Sequence, residues 1–387
     1  MNVQFWDVGA TRPTELPMDA GDISTHLVAD WLPFLPSSVS SSVCGWPPIL
    51  VSSEESKSGS FLTMRTEAGR TERQWKAVMS WMLGVAGARH ALENLGYRWI
   101  APLSAFYSKA NEPVDLSRWH ERYPPTVLSI DSDPDSNSRL RPDFIAIKPI
   151  SSGGDIEWAV VEAKGTTRQL RNMHRCRRDW RDQVRNVRVI CQGRSVGVRR
   201  HIVIATRVNP NASRPRTRRL QIRVWNSSQG GSESLPLVAA PEIASAHLYG
   251  LARTLGLMHT ARELAVAGFD RAQNWRTYGD NPPEAMGHRH RLIDAGPQSQ
   301  DEFVATDEPR SLATDTGPIV PHLEQETKEL LDGLVEAGTG SRAVDVLRAA
   351  DCRLDAKRKE HSERARGRSR ALSVGIRLEF PEGFLRS

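Results

Sequence analysis

The stretch Arg141–Gly165 reads RPDFIAIKPISSGGDIEWAVVEAKG. Two apolar runs, Phe144–Ile147 and Ile156–Glu162, surround a Ser-Gly-Gly-Asp turn. Continuous apolar runs of this length predict strands covered on both faces. Pro142-Asp143 opens the first run, and Glu162-Ala163-Lys164 closes the second. Charged groups at the ends of buried strands call for a reason. Alternate residues of a strand share a face, so Glu162 and Lys164 point the same way, and a hairpin brings Asp143 towards Glu162. Two carboxylates and the Ala163 carbonyl between them form a hard oxygen site. That set suits Mg²⁺, which takes few protein carboxylates and keeps waters and substrate phosphate. A metal there lowers the pKa of a bound water and offsets charge on phosphate. Lys164 beside it orients or deprotonates that water, or stabilises the transition state. The set points to metal-assisted phosphodiester hydrolysis.

With Pro142-Asp143 followed by Glu162-Ala163-Lys164, the chain resembles the PD-(D/E)xK nuclease superfamily, the restriction-endonuclease-like fold. The expected order of elements also matches: helix, strand, strand with Asp, strand with ExK, helix, strand. The resemblance covers roughly residues 70–226. It implies an α/β core with a mixed central sheet flanked by helices. It also implies Mg²⁺, with Mn²⁺ as the alternative, held by Asp143, Glu162 and the carbonyl of Ala163, while Lys164 assists the attacking water. The tripeptide alone carries little. Glu55-Ser56-Lys57, Glu326-Thr327-Lys328 and Asp355-Ala356-Lys357 match it too, and only the Glu162 match ends a strand-like run after a Pro-Asp strand.

Members of this superfamily often add an acid from the first helix. Trp75, Val78, Met79, Met82, Leu83 and Ala86 recur at helical spacing and predict that helix over 71–95, with Gly96 as its stop. Glu72 is the favoured acid and Glu93 the other candidate. A carboxylate at Glu72 also complements the helix dipole without any metal. After Lys164 a second helix is expected over about Thr167–Val189. It carries eight Arg against Asp179 and Asp182. Arg168, Arg171, Arg175 and Arg178 recur at helical spacing and are read as a phosphate-binding face. Gln183 lies on the same segment. Some relatives use a Gln-x-x-x-Tyr motif there, but position 187 is Val.

The 387 residues carry a net charge of +6, with 8 Lys among the 52 basic residues and hence 44 Arg. GC-rich codon usage accounts for such a bias without any function. Yet Arg also suits bidentate phosphate binding, and a lysine kept in such a chain can lose its proton where arginine cannot. Cys44, Cys176, Cys191 and Cys352 have no metal-type spacing and predict a reducing, cytoplasmic setting. No stretch reads as a signal peptide or reaches membrane-spanning length. Gly193-Arg-Ser195-Val-Gly197 fits a nucleophile elbow in letters only, since no helix is expected after it. His288-Arg-His290 lies in a polar linker, and no Walker motif occurs.

The expected organisation is an N-terminal accessory segment (1–66) and a nuclease core (67–226) with an insertion at 104–138. A helical extension (227–275), a linker (276–320) and a C-terminal helix with a basic tail (321–387) follow. The expected partner is DNA, in bacterial restriction, antiviral defence, repair or a mobile element. A homodimer or a defence-system protein docking on the C-terminal helix is a further expectation, and no membrane is involved. The alternative is a nucleic-acid-binding subunit that keeps the fold without cutting.

Overall fold

Apolar runs that alternate weakly or not at all build the middle of one large sheet. In the computed structural model the described residues are 1–30, 51–56, 59–65, 73–106, 128–131, 142–150, 156–170, 173–192, 194–209, 219–226, 235–255, 257–264, 320–338, 340–364, 369–372 and 374–380. The chain starts with strands Asn2–Trp6 (β1) and Thr14–Pro17 (β2), helix Ala20–Asp30 (α1), and strands Val51–Ser56 (β3) and Gly59–Met64 (β4). Helix Arg73–Asn94 (α2) leads to strands Trp99–Pro102 (β5), Leu128–Asp131 (β6), Phe144–Ile147 (β7) and Trp158–Thr166 (β8). Helix Arg178–Arg185 (α3) precedes strands Arg188–Cys191 (β9), Arg194–Val196 (β10), His201–Arg207 (β11) and Gln221–Asn226 (β12). Helices Ala240–Thr254 (α4) and Met258–Leu264 (α5) follow. The last elements are Val320–Leu323 (β13), Gln325–Ala337 (α6), Ser341–Arg364 (α7), Ser369–Leu372 (β14) and Ile376–Glu379 (β15).

The protein is of the α/β class, with a large mixed, strongly curled sheet. Its strand order is β3-β4-β1-β12-β11-β8-β7-β5, and β2 pairs with β1. β5 pairs antiparallel with β7, and β7 with β8, whereas β8 and β11 are parallel and joined through α3. A parallel pair needs such a crossover. β6, β9 and β10 form a second, three-stranded sheet, and β13, β14 and β15 a third.

Register assigns the two faces of β8. Gly165 pairs with Thr206, and both face α2. A Cβ on Gly165 would lie 1.8 Å from Ser80 O, and one on Gly84 would lie 2.6 Å from Gly165 N. These two glycines let the helix backbone touch the strand directly behind Lys164. On the other face Glu162, Lys164, Val203, Ala205, Arg223 and Trp225 share one side through the β8–β11–β12 pairing. Trp180 of α3 meets Trp225 there, with ring centroids 6.1 Å apart.

Several expectations need correction. Within residues 1–66, expected as an accessory segment, β1 and β4 belong to the main sheet and β1 pairs in parallel with β12. The helix after Lys164 begins at Arg178 rather than about Thr167. β8 runs on to Thr166, whose Oγ1 accepts Arg168 N at 3.2 Å and turns the chain. A helix over 167–178 would also stack Arg168, Arg171, Arg175 and Arg178 three and four apart, where like charges repel. The insertion contributes β6, which pairs with β9. The C-terminal helical pattern splits in two at Gly338 and Gly340, both at positive φ. The basic segment after Arg353 stays helical to Arg364 and then adds β14. Residues 265–275, and 276–319 of the expected linker 276–320, lie outside the described residues, and Val320 opens β13.

Candidate metal and catalytic site

Asp143 immediately precedes β7. Its N–H donates to Val161 O at 3.0 Å, although Val161 is already the ladder partner of Phe144. Two residues therefore face one, which is a β-bulge. The Asp143 carbonyl accepts Leu103 N at 2.8 Å, so the backbone is held from both neighbouring strands. The bulge aims the side chain along β8, and Oδ2 accepts the Ala163 N–H at 2.7 Å. Val160 N and Thr166 O bond towards β11. By alternation, the N–H and C=O of Ala163 face away from β11, on the side of the Asp143 carboxylate.

Glu162 is 1% exposed. Its Oε1 pairs closely with Lys164 Nζ, and its buried Oε2 has no hydrogen-bond partner. Burial, followed by the Asp143 carboxylate, pushes the Glu162 carboxyl up from 4.5 to about 9, against the opposing pull of Lys164. Two acids held this close cannot both ionise cheaply in a dry site. A buried acid oxygen without a donor, a second carboxylate beside it and a carbonyl on the same side fit a hard dication. Among the described residues no group of three or more His, Cys, Asp or Glu gathers into a metal site.

Lys164 is half-buried, and its Nζ also donates to Gln183 Oε1 at 2.8 Å. Gln183 is buried on α3, on the turn that also buries Trp180 and Val184. It thus supports the lysine. Its signal in the sequence is its place on the segment after the ExK strand.

Glu72 lies outside the described residues. Glu93 belongs to the distant end of α2, nine residues beyond Gly84 and so about 13 Å along the axis. Arg168 and Arg175 are exposed on the loop between β8 and α3, and among the described residues neither has an ion-pair partner. Arg171 lies outside the described residues. Arg178 is on α3 and pairs with Asp182 at 3.5 Å, while Arg177 forks onto Asp179. Arg177 and Arg178 thus pair with the acids of the helix, whereas among the described residues Arg168 and Arg175 have no ion pair.

Glu326 and Lys328 are on α6, and Asp355 on α7 pairs closely with Arg98. Ser195 lies within strand β10, which rules out an elbow there. His288 and His290 lie outside the described residues. Among the described residues no helix is long and apolar enough to cross a membrane. No protein-family model, curated protein or solved structure matches the chain.

Proposed function

We propose that the chain is a metal-dependent nuclease of the restriction-endonuclease-like kind that hydrolyses phosphodiester bonds of DNA. The observation that carries this reading is the convergence of Asp143, Glu162 and Lys164 at the end of one antiparallel pair, with the Glu162 carboxyl buried and raised to about 9. The order α2-β5-β7-β8-α3-β11, antiparallel through β8 and parallel from β8 to β11, supports it further.

Asp143, Glu162 and the Ala163 carbonyl would hold Mg²⁺ or Mn²⁺. When bound, such a dication lowers the pKa of water and offsets charge on the phosphate. Glu162 gives up its proton as it takes on that role, since ligation needs the carboxylate. Lys164 stays beside Glu162, and Gln183 keeps its ammonium in place. The ammonium orients the attacking water and meets the charge that develops on the phosphate oxygens. Arg168 and Arg175 supply phosphate contacts from the adjoining loop.

Supercoiled and linear DNA incubated with Mg²⁺, Mn²⁺ or EDTA tests the proposal, with Glu162→Ala beside the wild type. Cutting by the wild type alone, blocked by EDTA, is expected. DNA bound but not cut by either protein would favour the non-cleaving subunit.

A further inference from the structure

Arg223 is 5% exposed, and it has no carboxylate partner among the described residues. Its Nη1 donates to Leu170 O at 3.2 Å and its Nη2 to Ala10 O at 3.3 Å. Its guanidinium carbon lies 5.5 Å from the centroid of Trp225. Trp225 meets Trp180, and Trp180 in turn lies under Arg177, 5.0 Å from its guanidinium carbon. A cation–aromatic stack therefore runs from β12 to the start of α3. A buried cation held by carbonyls alone, with its Nε left without a hydrogen-bond partner, is costly, and an apolar side chain often fills such a place equally well. Its position shows what the cation does. Arg223 pairs with Ala205, and Ala205 with Lys164, so all three lie on the site face of the sheet. Leu170 O, which Arg223 grips, also accepts Met173 N at 3.0 Å. That carbonyl is the knot of the loop between β8 and α3. Arg168 lies two residues before it, and Arg175 five residues after.

We propose that Arg223 is a positioning residue that fixes this loop through the Leu170 carbonyl, so that Arg168 and Arg175 face nucleic-acid phosphate. The ligand rests on the function proposed above, whereas the hold on the loop rests on geometry alone. Lysine keeps the charge but lacks the fork that reaches two carbonyls at once. Methionine keeps the bulk and removes both donors.

Hydrogen exchange on the full chain reads the hold directly. Arg223→Lys and Arg223→Met are expected to speed exchange over 167–177 about tenfold, with α2 and β11 unchanged. Unchanged exchange in that loop overturns the proposal. If Arg223→Met does not fold, Arg223→Lys decides it alone. Binding of a short DNA duplex is measured in parallel in a Lys164→Ala background, so cleavage plays no part. Arg223→Lys should weaken binding about tenfold and flatten the salt dependence by about two phosphate contacts. Adding Arg168→Ala and Arg175→Ala should then cost little more. Fully additive losses would overturn the link to those arginines. Wild type that binds no DNA at low salt would remove the nucleic-acid reading, and exchange would still decide the hold on the loop.

Discussion

Lys164 Nζ lies between two acceptors, Glu162 on its own strand and Gln183 on the helix that follows, the latter at 2.8 Å. A lysine tied at both points has little rotamer freedom left to lose when substrate arrives. Gln183→Leu removes the support without touching a metal ligand. Loss of such a supporting partner typically costs about 10–100-fold in activity. The expected outcome is that fall in cleavage rate with Mn²⁺ binding preserved, read by single-turnover kinetics and calorimetry on the same preparation.

The raised carboxyl of Glu162 links the site to pH. In the folded metal-free chain it holds its proton up to about pH 9, whereas its ordinary value is 4.5. Between those values the folded state binds more protons than the unfolded state, so stability falls as pH rises through that window. The contribution is fully present below 4.5. Glu162→Gln, which mimics the protonated form, should flatten the fall of Tm with pH in EDTA. Wild-type Mn²⁺ affinity should rise with pH towards 9, because binding displaces the proton. A metal affinity indifferent to pH would separate Glu162 from the site.

The close approach of α2 to β8 depends on Gly165. Its Gly165→Ala variant would place a methyl 1.8 Å from Ser80 O, a backbone atom that cannot swing aside. Overpacking of this kind costs about 1–3 kcal/mol. Urea titration should show that loss, with cleavage falling as well because Lys164 is the next residue.

Asp351 anchors α7 to the sheet domain. Its Oδ1 accepts Arg98 Nη1 at 2.7 Å and Trp99 Nε1 at 3.2 Å, and its Oδ2 accepts Ile150 N at 2.8 Å. Asp351→Ala takes the acceptor from Trp99 Nε1 and Ile150 N, while Arg98 keeps the Asp351 carbonyl and the Asp355 carboxylate. A buried donor left without an acceptor costs about 1–3 kcal/mol. Denaturant unfolding should report that loss, whereas Asp345→Ala on the exposed side of the same helix should change little.

Much of this site was legible from local chemistry. Phe144–Ile147 forms β7, the run through Glu162 leads into β8, and the two strands pair in one antiparallel ladder. Alternation alone put Glu162 and Lys164 on one face. The bulge at Asp143 was not legible, since one extra residue in a strand leaves no trace in an apolar pattern. The length of α3 was misread because arginines at helical spacing mimic a face that their mutual repulsion disfavours. The pairing of Gln4 with Gln221 joins residues far apart in the chain, and the Pro- and Ser-rich stretches near the N-terminus hid strands that complete the sheet. Arg223 looked like one of many basic residues. Only the fold shows that it points inward to Leu170.

Lys164→Ala gives the most direct test of the central claim, with cleavage of supercoiled DNA, Mn²⁺ affinity and DNA affinity measured on the same protein. The account predicts no cutting, with metal still bound and DNA affinity largely intact. A Lys164→Ala protein that cuts at the wild-type rate would contradict it.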